Sequence, residues 1–147
     1  MTRFRITAVS LAVALGIGLP AAVDAATGAV KTPKSGKLKA TTAVGKHPIT
    51  LYISGKSIQL IAIEFRCKET LGRTSISDIK LTKTKKGYKF SIDAHGIVSY
   101  TDEGTDENGA IGIAGRFSKD GKKVTGLMHV KTPRCGGTGN LKWGGAR

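Results

Sequence analysis

Apolar and polar residues alternate through residues 49–67, ITLYISGKSIQLIAIEFRC. Ile49, Leu51 and Ile53 fall on one side of an extended chain, with Thr50 and Tyr52 on the other. A period of two marks a half-buried strand. Ser54-Gly55-Lys56-Ser57 interrupts the run as a hairpin turn does, and a second apolar run over 58–65 leads to Cys67. Inside that second run the phase changes. Ile58 and Leu60 share one face, whereas Ile61, Ile63, Phe65 and Cys67 share the other. A bulge near Leu60 and Ile61 reconciles the two sets, and so does a strand buried on both faces.

The same period recurs on either side of this hairpin. Residues 37–44 are Thr-rich and predict an edge strand, where lysines discourage edge-to-edge pairing. Residues 74–81 carry Ile76, Ile79 and Leu81. Residues 88–94 put Phe90, Ile92 and Ala94 on one face, and His95-Gly96 separates them from a strand over 97–101. Residues 102–109, DEGTDENG, read as an acidic loop closing on Asn-Gly, a favoured turn pair. Residues 110–117 align Ile111, Ile113 and Phe117, and residues 123–131 align Val124, Gly126, Met128 and Val130. Residues 132–139 form a Gly-rich loop, and 140–143 a last short strand. Polar turns stand at 68–73, 83–87 and 118–122. The pattern predicts eight or nine short antiparallel strands and no sustained helical period. Strands of this kind hide one face by closing into a β-sandwich or a small barrel.

The N-terminus departs from that pattern. Arg3 and Arg5 precede an apolar run over 6–19, then Pro20 and the small-residue site Val23-Asp24-Ala25. The run falls short of the roughly 20 residues that span a bilayer. It reads as a secretory signal peptide over 1–25, with a retained anchor as the alternative. Residues 26–36, rich in Thr, Gly, Pro and Lys, read as a flexible basic leader, and residues 37–147 as one β domain. No other apolar stretch is long enough for a transmembrane segment. Export changes the meaning of the two cysteines. Cys67 and Cys135, with no C-x-x-C spacing, predict a disulfide in an oxidising compartment. Export also leaves the charge strongly positive. The whole chain carries +14, and loss of Arg3, Arg5 and Asp24 leaves +13.

Several positions together resemble a known group. They are Gly45, Ile49, Leu51, Ile53 and Gly55 around the first hairpin, Cys67, and the G-Y-K-F-S-I strand with Phe90. I-G-I-A-G-R-F-S (Gly115, Phe117), K-V-T-G (Gly126) and the closing R-C-G-x-T-G-x-L-x-W (Cys135, Gly139, Trp143) follow in order. This order resembles small secreted, uncharacterised β-sandwich proteins of actinobacterial type. The resemblance implies an exported β domain with one Cys–Cys bridge and implies no activity. The acidic loop and the high lysine content lie outside it.

Candidate chemistry is sparse. Gly55-Lys56-Ser57 ends like a phosphate-binding loop, but Thr50 stands where that motif needs glycine and a strand follows instead of a helix. His47, His95 and His129 have no metal-ligand spacing and read as surface histidines, so no metal is expected. No G-x-S-x-G elbow occurs. Asp102, Glu103, Asp106, Glu107 and Asn108 gather oxygens without the EF-hand spacing. Aromatic residues make up 5% of the chain, too few for a sugar-stacking cleft. Trp143, the single tryptophan, is expected to cap the core beside the disulfide.

The lysines carry the remaining signal. Lys80, Lys83, Lys85, Lys86 and Lys89 surround one turn, and Lys119, Lys122 and Lys123 another. A field of this sign attracts polyanions, while lysine-rich turns also serve solubility and edge protection. Arginines are few and no aromatic platform interleaves the lysines, which argues against sequence-specific nucleic-acid binding. The sequence therefore predicts a secreted, monomeric, non-catalytic domain without cofactor, binding anionic cell-envelope polymers through its lysine turns. A protein-interaction or inhibitor module using residues 102–109 is the alternative, and a hydrolase of envelope polymers is third.

Overall fold

A computed structural model describes residues 28–147, so the predicted signal peptide lies outside the described residues. Nine strands follow one another: β1 (Gly36–Thr42), β2 (Pro48–Ser54), β3 (Ser57–Cys67), β4 (Thr70–Lys80), β5 (Thr82–Thr84), β6 (Gly87–Tyr100), β7 (Thr105–Phe117), β8 (Lys123–Lys131) and β9 (Leu141–Ala146). No helix occurs among the described residues. All pairings are antiparallel. They run β4-β3-β2-β1-β9-β8-β7-β6, and β4 also pairs with β6 through Gly72↔Tyr100 and Arg73↔Ser99. The sheet therefore closes on itself. Of the two architectures open to the sequence, the molecule takes the barrel: eight strands in a closed ring, with β5 added as a short hairpin arm on the start of β6. A two-sheet sandwich would leave edges, and closure removes them.

The inward positions are those the alternation marks. Leu51, Ile61, Val98, Ile111, Met128 and Val130 are buried, and an eight-stranded barrel is just wide enough for such side chains to fill. Trp143 is buried and tilted against Phe90, with ring centroids 6.2 Å apart. Its ring lies over Gly115 and Gly126, where an added Cβ would come within 2.9 and 2.8 Å of it. The indole thus stands level with Phe90, and its N–H has no hydrogen-bond partner among the described residues. Outward positions of β6 are Lys89, Ser91, Asp93 and His95. Polar outside and apolar inside is the reverse of a lipid-embedded barrel. No helix of the described residues is long and apolar enough to cross a membrane.

Four local details differ from the sequence reading or settle it. The phase change in β3 is a bulge: Tyr52 pairs with Leu60 and Ile53 with Ile58, leaving Gln59 as the extra residue. Residues 87–100 form one strand, because Gly96 pairs with Gly109 and the ladder runs on unbroken. Asn108-Gly109 is accordingly strand, and the turn sits earlier, at Thr101 to Gly104, with Gly104 at φ 61°. Gly109 is needed for space: a Cβ there would lie 2.9 Å from Thr132 Cγ2 and 3.0 Å from Val98 Cγ2. Finally, the end of the basic leader is docked. Lys31 N–H donates to Lys119 O at 2.9 Å, and the Arg147 guanidinium donates to the carbonyls of Lys34, Ser35 and Gly36.

Candidate functional site

Strand direction sorts the connections into two ends. One end holds the leader, the β2–β3, β4–β5, β5–β6 and β7–β8 connections and Arg147. The other holds the β1–β2, β3–β4 and β6–β7 turns and the long β8–β9 loop. The two lysine turns, more than thirty positions apart in sequence, fall on the same end.

Gly87 brings these turns into contact. Its φ is 138°, and a Cβ there would lie 2.0 Å from Phe117 O. Only a residue without a side chain lets the β5–β6 turn close onto the β7–β8 turn. The β5–β6 turn is tied further by Thr84 Oγ1, which donates to Gly87 O and accepts from Lys86 N–H. In the β7–β8 turn, Ser118 Oγ–H and Lys122 N–H both donate to Asp120 Oδ1. Those two bonds hold the Asp120 carboxyl below its ordinary value, the Ser118 hydroxyl contributing most.

The contact produces adjoining depressions. Lys83, Lys85 and Lys119, with residues 28–30, line a groove of about 700 Å³. Lys86, Lys123 and Arg116 line a second of about 260 Å³, whose floor is Phe117, Ser118 and Thr125. Lys89 meets Arg116 again on the outer wall, in a shallow trough of about 320 Å³ over Ala114, Gly115 and Gly126. Lys80 and Lys122 are exposed on the same end but line none of the three. Arg116 is absent from the lysine pattern. Its signal was its phase: Ile111, Ile113 and Phe117 point inward, so Arg116 points outward one step before the turn. Among the described residues, no lysine of this end has a carboxylate within ion-pair distance; both ion pairs, Arg73–Glu64 and Arg134–Glu103, lie at the other end or toward it.

The acidic turn sits at that other end, where Asp102, Glu103 and Glu107 already have partners. Glu103 pairs with Arg134 and accepts from Thr70 Oγ1, and Asp102 accepts from Leu71 N–H. Tyr100, buried, donates to Glu107 Oε1 at 2.6 Å. Its oxygen then accepts from Thr132 Oγ1 at 2.7 Å, and Thr132 accepts from Cys135 N–H. The Thr132 and Tyr100 hydroxyls hold the Glu107 carboxyl below its usual value. Burial, then the bond to Glu107, pushes the Tyr100 phenol up. Arg134 covers the Tyr100 ring at 4.8 Å. Beside this network Cys67 and Cys135 form the disulfide, with Cα atoms 5.4 Å apart. A disulfide is consistent with an extracellular protein.

The histidines remain separate. His129 faces outward beside Asp93, over Gly112, and no group of three metal-ligating side chains occurs among the described residues. No protein-family model, no curated protein and no solved structure matches the chain.

Proposed function

We propose that this protein is an exported, monomeric, non-catalytic binding domain that holds anionic polymers of the cell envelope on its lysine end. The observation that carries the reading is the convergence of two distant lysine turns around shared depressions, with no carboxylate within ion-pair distance of their lysines among the described residues. A charge of +13 after export supplies long-range attraction, and the depressions supply places for anionic groups to sit. The acidic turn offers a partner less, since Asp102, Glu103 and Glu107 are engaged within the fold.

The test is co-sedimentation of the exported protein with isolated cell envelopes across a salt gradient. Binding at low salt that vanishes as salt rises is the expected result, because screening shortens the reach of exposed charges to about 3 Å at 1 M. Absence of binding at low salt overturns the proposal. Binding that persists at high salt replaces it with a packed interface.

A further inference from the structure

We infer that the lysine end grips a linear polymer of repeating phosphates, seating successive phosphates in the two depressions that flank the β5–β6 turn. This inference rests on the polyanion reading and narrows it to one ligand class. Lys85 lines the larger groove and Lys86, the next residue, lines the smaller one. The turn therefore acts as a divider, and a ligand touching both sides must cross it. A single small anion fills one depression. A chain of linked anions reaches both.

The donors favour phosphate. Lys83, Lys85 and Lys119 converge on the larger groove from two turns. The smaller depression offers Lys86 and Lys123 as ammonium donors, Arg116 as a guanidinium and Thr125 as a hydroxyl. A phosphate has several oxygens to share among donors arriving from different directions, whereas a carboxylate has two in one plane. The carboxylate of these turns, Asp120, accepts from Ser118 and Lys122 inside its own turn. The division of the cations between two depressions favours a chain over a bilayer, since a flexible polymer can cross the turn and reach both sets, whereas a flat headgroup plane rests on the turn between them.

The chemistry predicts a dependence on chain length. Linking two weak contacts makes the second intramolecular, and such linkage raises affinity by about 10²–10⁴. The experiment uses protein expressed as the full chain and recovered after export, titrated at low salt with orthophosphate, tripolyphosphate and long-chain polyphosphate. Affinity per phosphate is expected to rise by about 100-fold or more from the monomer to the long chain. Lys85→Gln/Lys119→Gln and Lys86→Gln/Lys123→Gln, one pair for each depression, should each abolish most of that rise. The charge-matched control Lys39→Gln/Lys142→Gln, exposed and away from both, should keep it. Far-UV circular dichroism confirms the fold of each variant.

The outcomes separate the two claims. No binding to long polyphosphate at low salt overturns the polyanion reading and this inference with it. Binding without a length dependence, or a control pair that loses as much as the others, overturns the two-depression arrangement alone. Anionic vesicles that bind as tightly per charge as the long chain, with the paired variants unaffected, also overturn it and leave a flat surface as the ligand.

Discussion

The two ends of this barrel are built on opposite plans. At one end three of the four connections are fastened to one another: a disulfide, a four-member hydrogen-bond chain from Cys135 through Thr132 and Tyr100 to Glu107, and the Arg134–Glu103 pair. Opposite charges there meet and neutralise each other. At the other end the turns meet through Gly87, hydrogen bonds within each turn and the docked leader hold them, and no lysine has a carboxylate within ion-pair distance among the described residues. One end uses polar chemistry to hold the fold. The other also uses hydrogen bonds to shape its turns and dock the leader, but leaves its lysine charges without a carboxylate at ion-pair distance among the described residues. A charged cluster is therefore best judged by whether its charges are answered within the chain.

The largest expected effect breaks the fastened end. The disulfide closes a loop of 68 residues, which chain-entropy arguments value at about 4 kcal/mol. The Cys67→Ser/Cys135→Ser double variant should lower the urea midpoint accordingly, read by fluorescence of Trp143. Under conditions where it remains folded, its salt-sensitive envelope binding should match that of the unaltered protein. Loss of binding in a folded double variant would show that the ends are coupled.

Next comes the one residue that joins structure to charge at the lysine end. Gly87→Ala places a Cβ against Phe117 O and asks alanine to adopt φ 138°. The clash and the strain together should cost about 1–3 kcal/mol. The two lysine turns should part, and polyanion affinity should fall although no cation has been removed. Unchanged affinity would mean that the turns act independently.

A smaller effect sharpens the view of the fastened end. Tyr100→Phe removes the hydroxyl between Thr132 and Glu107 and should cost about 1 kcal/mol. The pH dependence follows from the directions of the shifts. Glu107 has a lowered value in the fold, so its contribution is present above the ordinary 4.5 and is lost as pH falls through the folded value. Tyr100 has a raised value, so its contribution is present below 10.0 and is lost as pH rises through the folded value. The variant should show a shallower loss of stability at acid pH and none of the tyrosine-linked loss at alkaline pH, in denaturation midpoints measured from pH 3 to 11. An unaltered acid limb would place the acid sensitivity elsewhere.

Much of the fold was legible because alternation is local. The inward sets of β6, β7 and β8 follow from period two alone, while the β3 phase break left a bulge and a strand buried on both faces equally open, and the structure decides for a bulge at Gln59. Closure was not legible, because β4 meets β6 through residues whose side chains carry no mark of pairing. Gly96 and Gly109 misled for a related reason. Glycine marks a turn when the backbone needs positive φ, and marks crowding when a neighbour needs the space, and sequence does not distinguish them. At the lysine end the cations were evident as two clusters. Their meeting depends on Gly87 and Phe117, a contact across strands, and Arg116 joined them only once strand phase was fixed.

The smallest expected effect on stability makes the comparison quantitative. Like charges held close oppose the folded state, so neutralising some of them should not harm it. Lys83→Gln/Lys85→Gln/Lys119→Gln removes three exposed charges that have no carboxylate partner within ion-pair distance among the described residues. Its stability should stay within about 0.5 kcal/mol of the unaltered protein, and any change should be a gain at low salt that fades as salt rises. Neutralising Glu103 by Glu103→Gln at the fastened end should do the opposite, since the charge of Arg134 loses its partner. The pair of variants, followed by thermal melts at low and high salt, asks one question of both ends. A gain at the lysine end with a loss at the acidic end means that the first set of charges is kept for something other than folding. Losses at both ends would mean that the lysines are structural, and the polyanion reading would lose its main support.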